Sequence, residues 1–258
     1  MYNIIDLDKI DSTNEYAKRA AKNGAEHWTV IRAKEQSAGK GRLGRTFMSE
    51  ENAGIYMSIL LKPDITPDMA SRLTLVAAVA VRKALLRICK LECFIKWPND
   101  IVADGRKVCG ILTEMSTAQG RINYVVVGIG VNVTNKFFEE ELSQVATSVY
   151  MLTGKEYDKD VLSEAILMEF EDYYKKYTEA GGMKAIKPEY DKYLGNIDKE
   201  VRVIDGSREI RGICRGIGED GELLVEVKDN QSGENNEAPH IEKIISGEVS
   251  LRGVYGYV

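Results

Sequence analysis

Hydrophobic and polar positions along the chain follow two periods, which predicts a mixture of strands and helices. Thr29–Lys34 (TVIRAK) alternates as a half-buried strand does, and Gly54–Lys62 (GIYMSILLK) reads as a strongly apolar strand. Phe94–Trp97, Lys107–Ser116 and Ile122–Val133 read as three more. Helices are predicted at Thr13–Asn23, from Thr66-Pro67-Asp68 to about Ile88, and at Asp158–Ala180. The second opens with Thr66 as cap and Pro67 at the first helical position. Its run LTLVAAVAV is apolar nearly all round, so it is expected to lie buried against a sheet. The third carries Leu162, Ile166, Phe170, Tyr173 and Tyr177 down one face.

Beyond Asn196 the pattern shortens. Glu200–Ile204, Glu209–Gly216, Leu223–Val227, Ile241–Ile245 and Glu248–Leu251 read as short strands, with Asp205-Gly206, Asp220-Gly221 and Ser246-Gly247 as turns. Such a tail suggests a small β-barrel. A boundary near Gly195 divides the chain into residues 1–195 and 196–258. Asp229–Pro239 (DNQSGENNEAP) is polar and is expected to be mobile.

Composition narrows the classes. An apolar content of 44% and a charged content of 29% are ordinary for a soluble globular protein. A net charge of −5 argues against a general nucleic-acid binder. Cys89, Cys93, Cys109 and Cys214 form no C-x-x-C pair, and His27 and His240 stand far apart in sequence, so buried thiols are expected rather than a zinc site or a disulfide framework. The first residues, MYNIIDLDKIDST, lack the apolar core of a signal peptide, and no run of 18 apolar residues occurs. A cytoplasmic protein without a membrane span is the expectation.

The candidate chemistry begins with Gly39-Lys40-Gly41-Arg42-Leu43-Gly44-Arg45, three glycines and three cations in seven residues. It satisfies G-x-G-x-x-G, but a dinucleotide fold needs a helix opening within the glycines, and here the chain continues toward a strand. No Gly-Lys-Ser/Thr follows at P-loop spacing. Glycines let a backbone approach a ligand, and cations that repel one another in the free loop gather around an anion. The loop is therefore expected to act as a lid that orders on its ligand. Three further segments stand out. Lys96-Trp97-Pro98-Asn99-Asp100 ends a strand in a sharp turn. Ser12-Thr13-Asn14-Glu15 fits a capping box, with Ser12 as N-cap and Glu15 three residues on. Gly128-Ile129-Gly130-Val131-Asn132 places glycines within an apolar strand, where a ligand or a bulge is expected.

Together with Gly110-Ile111-Leu112, these segments resemble the biotin–protein ligases in order and spacing, and the tail from Arg215-Gly216-Ile217 to Glu248–Arg252 resembles that family's C-terminal domain. The resemblance implies an α+β fold: a mixed sheet with helices on one side, of the class II aminoacyl-tRNA synthetase-like biotin–lipoate ligase type, followed by a small SH3-like β-barrel. With 11 residues before Ser12, the short class without a DNA-binding domain is implied. The chain departs from the family at Lys40, where arginine is usual, and at Phe47, where tryptophan is frequent. Lysine keeps the charge but loses the planar fork.

The implied activity is ATP-dependent. Biotin is activated as biotinyl-5′-AMP with release of pyrophosphate, and then passes to a lysine of a biotin carboxyl carrier protein. Ser12, Thr13, Asn14, Gln36, Gly39, Lys40, Gly41, Arg42, Lys96 and Gly110 are the expected biotin residues. Arg42, Arg45, Phe47, Lys96 and Asn132 are the expected ATP and adenylate residues. Lys96 and Arg42 are expected to carry the catalytic charge, with Mg²⁺ on the triphosphate. No DNA or membrane partner is expected, and the chain is a monomer or a homodimer. The alternatives are a lipoate–protein ligase on the same fold and a non-enzymatic biotin sensor.

Overall fold

The computed structural model describes residues 2–205, 208–227, 239–245 and 249–253. The segment Asp229–Pro239 expected to be mobile, apart from Pro239, and the Ser246-Gly247 turn lie outside these residues, as does Gly206.

The first 132 residues supply a seven-stranded sheet in the order β1-β2-β3-β7-β6-β5-β4. Its strands are β1 (Asn3–Ile10), β2 (Thr29–Gln36), β3 (Gly54–Leu61), β4 (Phe94–Lys96), β5 (Asp100–Ala103), β6 (Arg106–Ala118) and β7 (Arg121–Asn132). Only β1 and β2 run parallel, so the sheet is mixed as expected. The helices are α1 (Thr13–Lys22), α2 (Pro67–Ser71), α3 (Leu73–Cys89), α4 (Glu140–Ser143), α5 (Val149–Thr153), α6 (Lys159–Glu179) and α7 (Lys187–Tyr193).

Alternation in the central strands separates two faces. Ile55, Met57, Ile59 and Leu61 of β3, with Val125, Val127, Ile129 and Val131 of β7, join the core beneath α3 and α6. Leu60 and Val126 turn the other way and meet Ala17 of α1 and Ile31 of β2 in a second, smaller cluster. The expectation of helices on one side is therefore corrected: α1 packs on the opposite face, against β2, β3 and β7. An amphipathic α1 needs an apolar surface, and Leu60 and Val126 provide it.

The predicted stripe of α6 is buried, and Asp158 caps the helix by accepting from the amides of Asp160 (2.8 Å) and Val161 (3.3 Å). Thr66 caps α2 as expected, accepting from Met69 N. The single helix predicted to follow it breaks at Arg72 into α2 and α3. Inside the apolar α3, Arg82 is buried but compensated. Its Nε donates to Cys93 O at 3.2 Å, and its guanidinium lies 3.3 Å from the centroid of the Tyr193 ring.

The tail forms a second, antiparallel sheet ordered β11-β10-β9-β8-β12, from β8 (Glu200–Asp205), β9 (Arg208–Ile217), β10 (Leu223–Val227), β11 (His240–Ile244) and β12 (Val249–Gly253). Two hydrogen bonds tie the region beyond α7 to the end of β4. Trp97 Nε1 donates to Gly221 O at 3.1 Å, and Gly195 N donates to Ile95 O at 2.8 Å. All four cysteines are buried free thiols, as expected. Burial pushes Cys89 and Cys214 up to about 11. Among the described residues no helix is long and apolar enough to cross a membrane.

Candidate active site

A single row of paired residues crosses the sheet beneath the candidate site. Ala33 pairs with Tyr56, Tyr56 with Gly130, Gly130 with Gly110, Gly110 with Asp100, and Asp100 with Lys96. Residues paired across antiparallel strands project to the same face. The two glycines in the middle leave bare backbone, so neighbouring side chains lie directly on the sheet. A Cβ at Gly130 would stand 2.7 Å from the Phe47 ring, and one at Gly128, two residues along β7, would stand 2.2 Å from Asn14 Oδ1. The glycines expected to admit a ligand therefore do floor a recess.

The inner wall of this recess is the start of α1. The amide and hydroxyl of Thr13 donate to Gln36 Oε1 at 2.8 and 3.0 Å. Ser58, buried in β3, donates to Asn14 Oδ1 at 2.6 Å. Asn14 Nδ2 in turn donates to Glu114 Oε2 at 2.8 Å and to Leu112 O at 3.3 Å. The capping box is corrected. Ser12 stands at the N-cap position but makes no side-chain cap bond, and Glu15 reaches Lys18 and Lys40 instead of the helix start. Ser12 nevertheless lines the recess.

The outer wall is the glycine loop. It folds as a tight return, with Gly41 N donating to Arg45 O (2.7 Å) and Phe47 N to Gly39 O (2.9 Å), around a 3₁₀ turn over Arg42–Gly44. Leu43 sits at φ 57, a left-handed conformation that costs a non-glycine residue about 1–2 kcal/mol. Fixed neighbours separate the cations that were expected to repel one another. Lys40 Nζ pairs with Glu15 Oε1 at 2.6 Å, and Arg42 donates to Asn99 Oδ1 at 3.1 Å. Burial pulls the Arg42 guanidinium below its usual range, against the opposing pull of Asp100. The recess is narrow, a cavity of about 40 Å³. Phe47 and Lys107 occupy much of the floor.

Lys107 was not expected here. A regular strand running back from Gly110 would turn Val108 toward the recess and Lys107 toward the core. The register prevents this: Ile101 pairs with Cys109 but Val102 pairs with Lys107, leaving Val108 as an extra residue. The resulting bulge reverses the alternation. Val108 joins the core, and the Lys107 ammonium lies over Gly110, 2.8 Å from where a Cβ would stand, and 2.7 Å from Asp100 Oδ1. A neighbouring segment clamps its backbone: Lys107 N donates to Val145 O and Thr147 N to Lys107 O, each at 2.8 Å.

The structure thus brings Ser12, Thr13, Asn14, Gln36, Lys40, Gly41, Arg42, Phe47 and Gly110 together around one recess, with Lys107, Tyr56 and Asn99 added. Four expected residues stand elsewhere. Lys96 is buried, 5% exposed, at the far end of the row, with Asp100 between it and the glycine floor. Asn132 is buried and donates to Thr147 O at 3.0 Å, behind Lys107. Arg45 faces an adjoining groove with Ser71 and Thr74. Gly39 lies behind the loop, where a Cβ would strike Phe47 O at 2.4 Å.

Residues 7–132 match the biotin/lipoate A/B protein ligase family, and residues 197–252 match the biotin protein ligase C-terminal domain. The bifunctional ligase/repressor BirA of Bacillus spizizenii is 36% identical over 250 residues, which are 96% of this chain and 74% of that protein. The chain belongs to the biotin protein ligase family. Another relative, the biotin–[acetyl-CoA-carboxylase] ligase of Mycobacterium tuberculosis, is 32% identical over 222 residues, 84% of this chain and 80% of that one. The fold superposes on the biotin protein ligase from Aquifex aeolicus in complex with biotin and ATP with a TM-score of 0.83, at 32% identity, covering 98% of this chain and all (100%) of that one.

Proposed function

We propose that this member of the family is an ATP-dependent biotin–[acetyl-CoA-carboxylase] ligase. Biotin's carboxylate attacks the α-phosphorus of ATP, pyrophosphate leaves, and the biotinyl-5′-adenylate gives its acyl group to a carrier lysine as AMP leaves. The observation that carries this reading is the joining, in one glycine-floored recess, of a neutral hydrogen-bonding end at Thr13, Asn14 and Gln36 with a cationic end at Arg42 and Lys107.

Each end suits one part of the reaction. The donors and acceptors at Ser12, Thr13, Asn14 and Gln36 match a ureido ring, which both donates and accepts. In the first step two anions meet, so fixed positive charge must stand where negative charge accumulates. Lys107 and Arg42 provide it, and the role expected of Lys96 passes to Lys107. Arg45, in the adjoining groove, holds the outer phosphates. Asn132 acts through backbone: it fixes Thr147, and Thr147 fixes Lys107. Mg²⁺ arrives on the triphosphate as part of the substrate. The adenylate is a mixed anhydride that water destroys, so the loop Gly39–Arg45 closes over it as a lid. Residues 1–195 form the catalytic domain. Residues 196–258 form a small SH3-like barrel, docked behind the turn at Trp97-Pro98.

The test is exchange of labelled pyrophosphate into ATP with biotin or lipoate as the acid. Exchange that depends on biotin is the expected result. Exchange that depends on lipoate, or none with either acid, removes the reading.

A further inference from the structure

Four charged side chains form an unbroken line beside the recess. Lys40 Nζ on the loop lies 2.6 Å from Glu15 Oε1, and Lys18 Nζ lies 2.9 Å from that same oxygen. Lys18 also lies 2.5 Å from Glu114 Oε1, and Glu114 holds the Asn14 amide with its other oxygen. One end of the line is therefore on the loop, and the other is on a side chain at the recess floor. Glu15 and Lys18 do not line the recess.

The loop needs such an anchor. Its own backbone bonds, Gly41 to Arg45 and Phe47 to Gly39, set its shape but not its seat. Among the described residues, side chains fasten it to the body of the protein on both sides, Arg42 to Asn99 and Lys40 to Glu15. Glu15 projects from the first turn of α1, where the helix end favours a carboxylate. Lysine presents a point charge without the fork of arginine, so its grip on one carboxylate oxygen is readily exchanged.

We propose that Glu15 is a positioning residue that latches the glycine loop over the recess through Lys40, and that this latch, continued through Lys18 and Glu114 to Asn14, sets how long the adenylate is retained. The proposal rests on the ligase reading and gives the departure at Lys40 a role: a latch that holds the intermediate yet opens for the acceptor. Lys40 is half exposed, so the effect is moderate.

The test preforms labelled biotinyl-adenylate on the whole protein with biotin and MgATP, then follows its loss from the protein by rapid filtration. Glu15→Gln is expected to speed release by about two- to five-fold, a surface-pair effect, while the rate of adenylate formation and the thermal midpoint stay as in the wild type. Lys40→Met is expected to speed release similarly. The double variant should release no faster than either single one, because both remove the same contact. Raising ionic strength should hasten release from the wild type more than from Glu15→Gln. Wild-type retention in Glu15→Gln, fully additive effects in the double variant, or a parallel loss of stability and adenylate formation would each overturn the latch. A wild type that forms no adenylate at all would fail the ligase reading instead, so the two failures are distinct.

Discussion

Replacing Lys107 by methionine keeps the length of the side chain and removes its charge. The substitution does more than delete a cation, because Asp100 is left with its carboxylate facing the place where the α-phosphate must sit. Asp100 is 9% exposed and its Oδ1 stands 2.7 Å from the lysine nitrogen, so little water compensates it. At an effective dielectric constant of about 20, unit charges 4 Å apart interact by about 4 kcal/mol. Losing one such interaction with the transition state corresponds to about 10²–10³ in rate, the range found when a single oxyanion donor is removed. The cost in stability is smaller. The Lys107 side chain is 26% exposed, which places the broken pair well below the 3–5 kcal/mol of a fully buried one, at about 1–2 kcal/mol. The expected outcome is a folded protein whose biotin-dependent pyrophosphate exchange falls by about 10²–10³. Adding Asp100→Asn should recover the stability and part of the rate, since it removes the misplaced anion. Thermal denaturation and exchange on the same preparations decide the matter. Exchange within about three-fold of wild type, under 1 kcal/mol of barrier, would refute the assignment. So would a folded Lys96→Met variant that loses exchange while Lys107→Met keeps it.

Three further outcomes are expected. Arg42→Gly removes the Asn99 tether and a recess cation, and should release adenylate that labels bystander lysines, seen by blotting mixed proteins with labelled avidin; labelling confined to the carrier would count against the lid. Gly128→Ala drives a methyl group to 2.2 Å from Asn14 Oδ1, which Ser58, Leu112 and Glu114 hold in place; overpacking of about 1–3 kcal/mol should lower the thermal midpoint, and calorimetry should show biotin binding weakened as well, so unchanged binding would refute the role of the floor. Asp11 pairs with Arg19, the largest cause holding its carboxyl down at about 2, and accepts from Ser12 N at the start of α1. A depressed folded value means that its stabilisation is present at neutral pH and is lost only as pH falls from the ordinary carboxylate range through about 2; a carboxyl titration by NMR with its midpoint at the unperturbed value would contradict this.

Much of the fold could be read along the chain because it depends on spacing within one element. The stripe Leu162, Ile166, Phe170, Tyr173 and Tyr177 is buried as its period requires. The alternation of Gly54–Leu61 places Ile55, Met57 and Ile59 in the core and Tyr56 and Ser58 toward the site. What escaped depends on partners remote in sequence. The strand β1 carries Asp6 and Asp8 between half-buried apolar residues and reads alone as a polar lead-in. It becomes a strand by pairing in parallel with β2, where Ile5 and Leu7 pack against the second cluster and Asp6 lies opposite Arg32, which holds both its oxygens at 2.7 and 3.0 Å, while Asp8 meets Lys34. The capping box failed for the same reason. The local pattern was present, but Lys40, 25 residues away in sequence, supplied a stronger partner for Glu15.

The two lysines show how far such pairing reaches into the chemistry. Lys96 is conspicuous in sequence, beside a tryptophan and a proline, and its backbone position does face the same side as the glycine floor. Register nevertheless places it two strands from Gly110, roughly 10 Å at 4.8 Å per strand, with Asp100 in between. Lys107 is inconspicuous, and regular alternation would send it into the apolar core, where an unpaired ammonium is prohibitive. One additional residue, Val108, resolves both problems. It fills the core position that Lys107 would have taken, and it turns the lysine toward Asp100 and the open backbone of Gly110. The short strand β5 therefore has two functions. Asp100 supplies the counter-charge that holds Lys107 over the glycine floor, and the mismatch between Ile101 and Val102 supplies the bulge that brings it there. In the proposed reaction a substrate phosphate competes with Asp100 for that ammonium, so the same pairing that stores the cation also sets how readily it is given to the transition state.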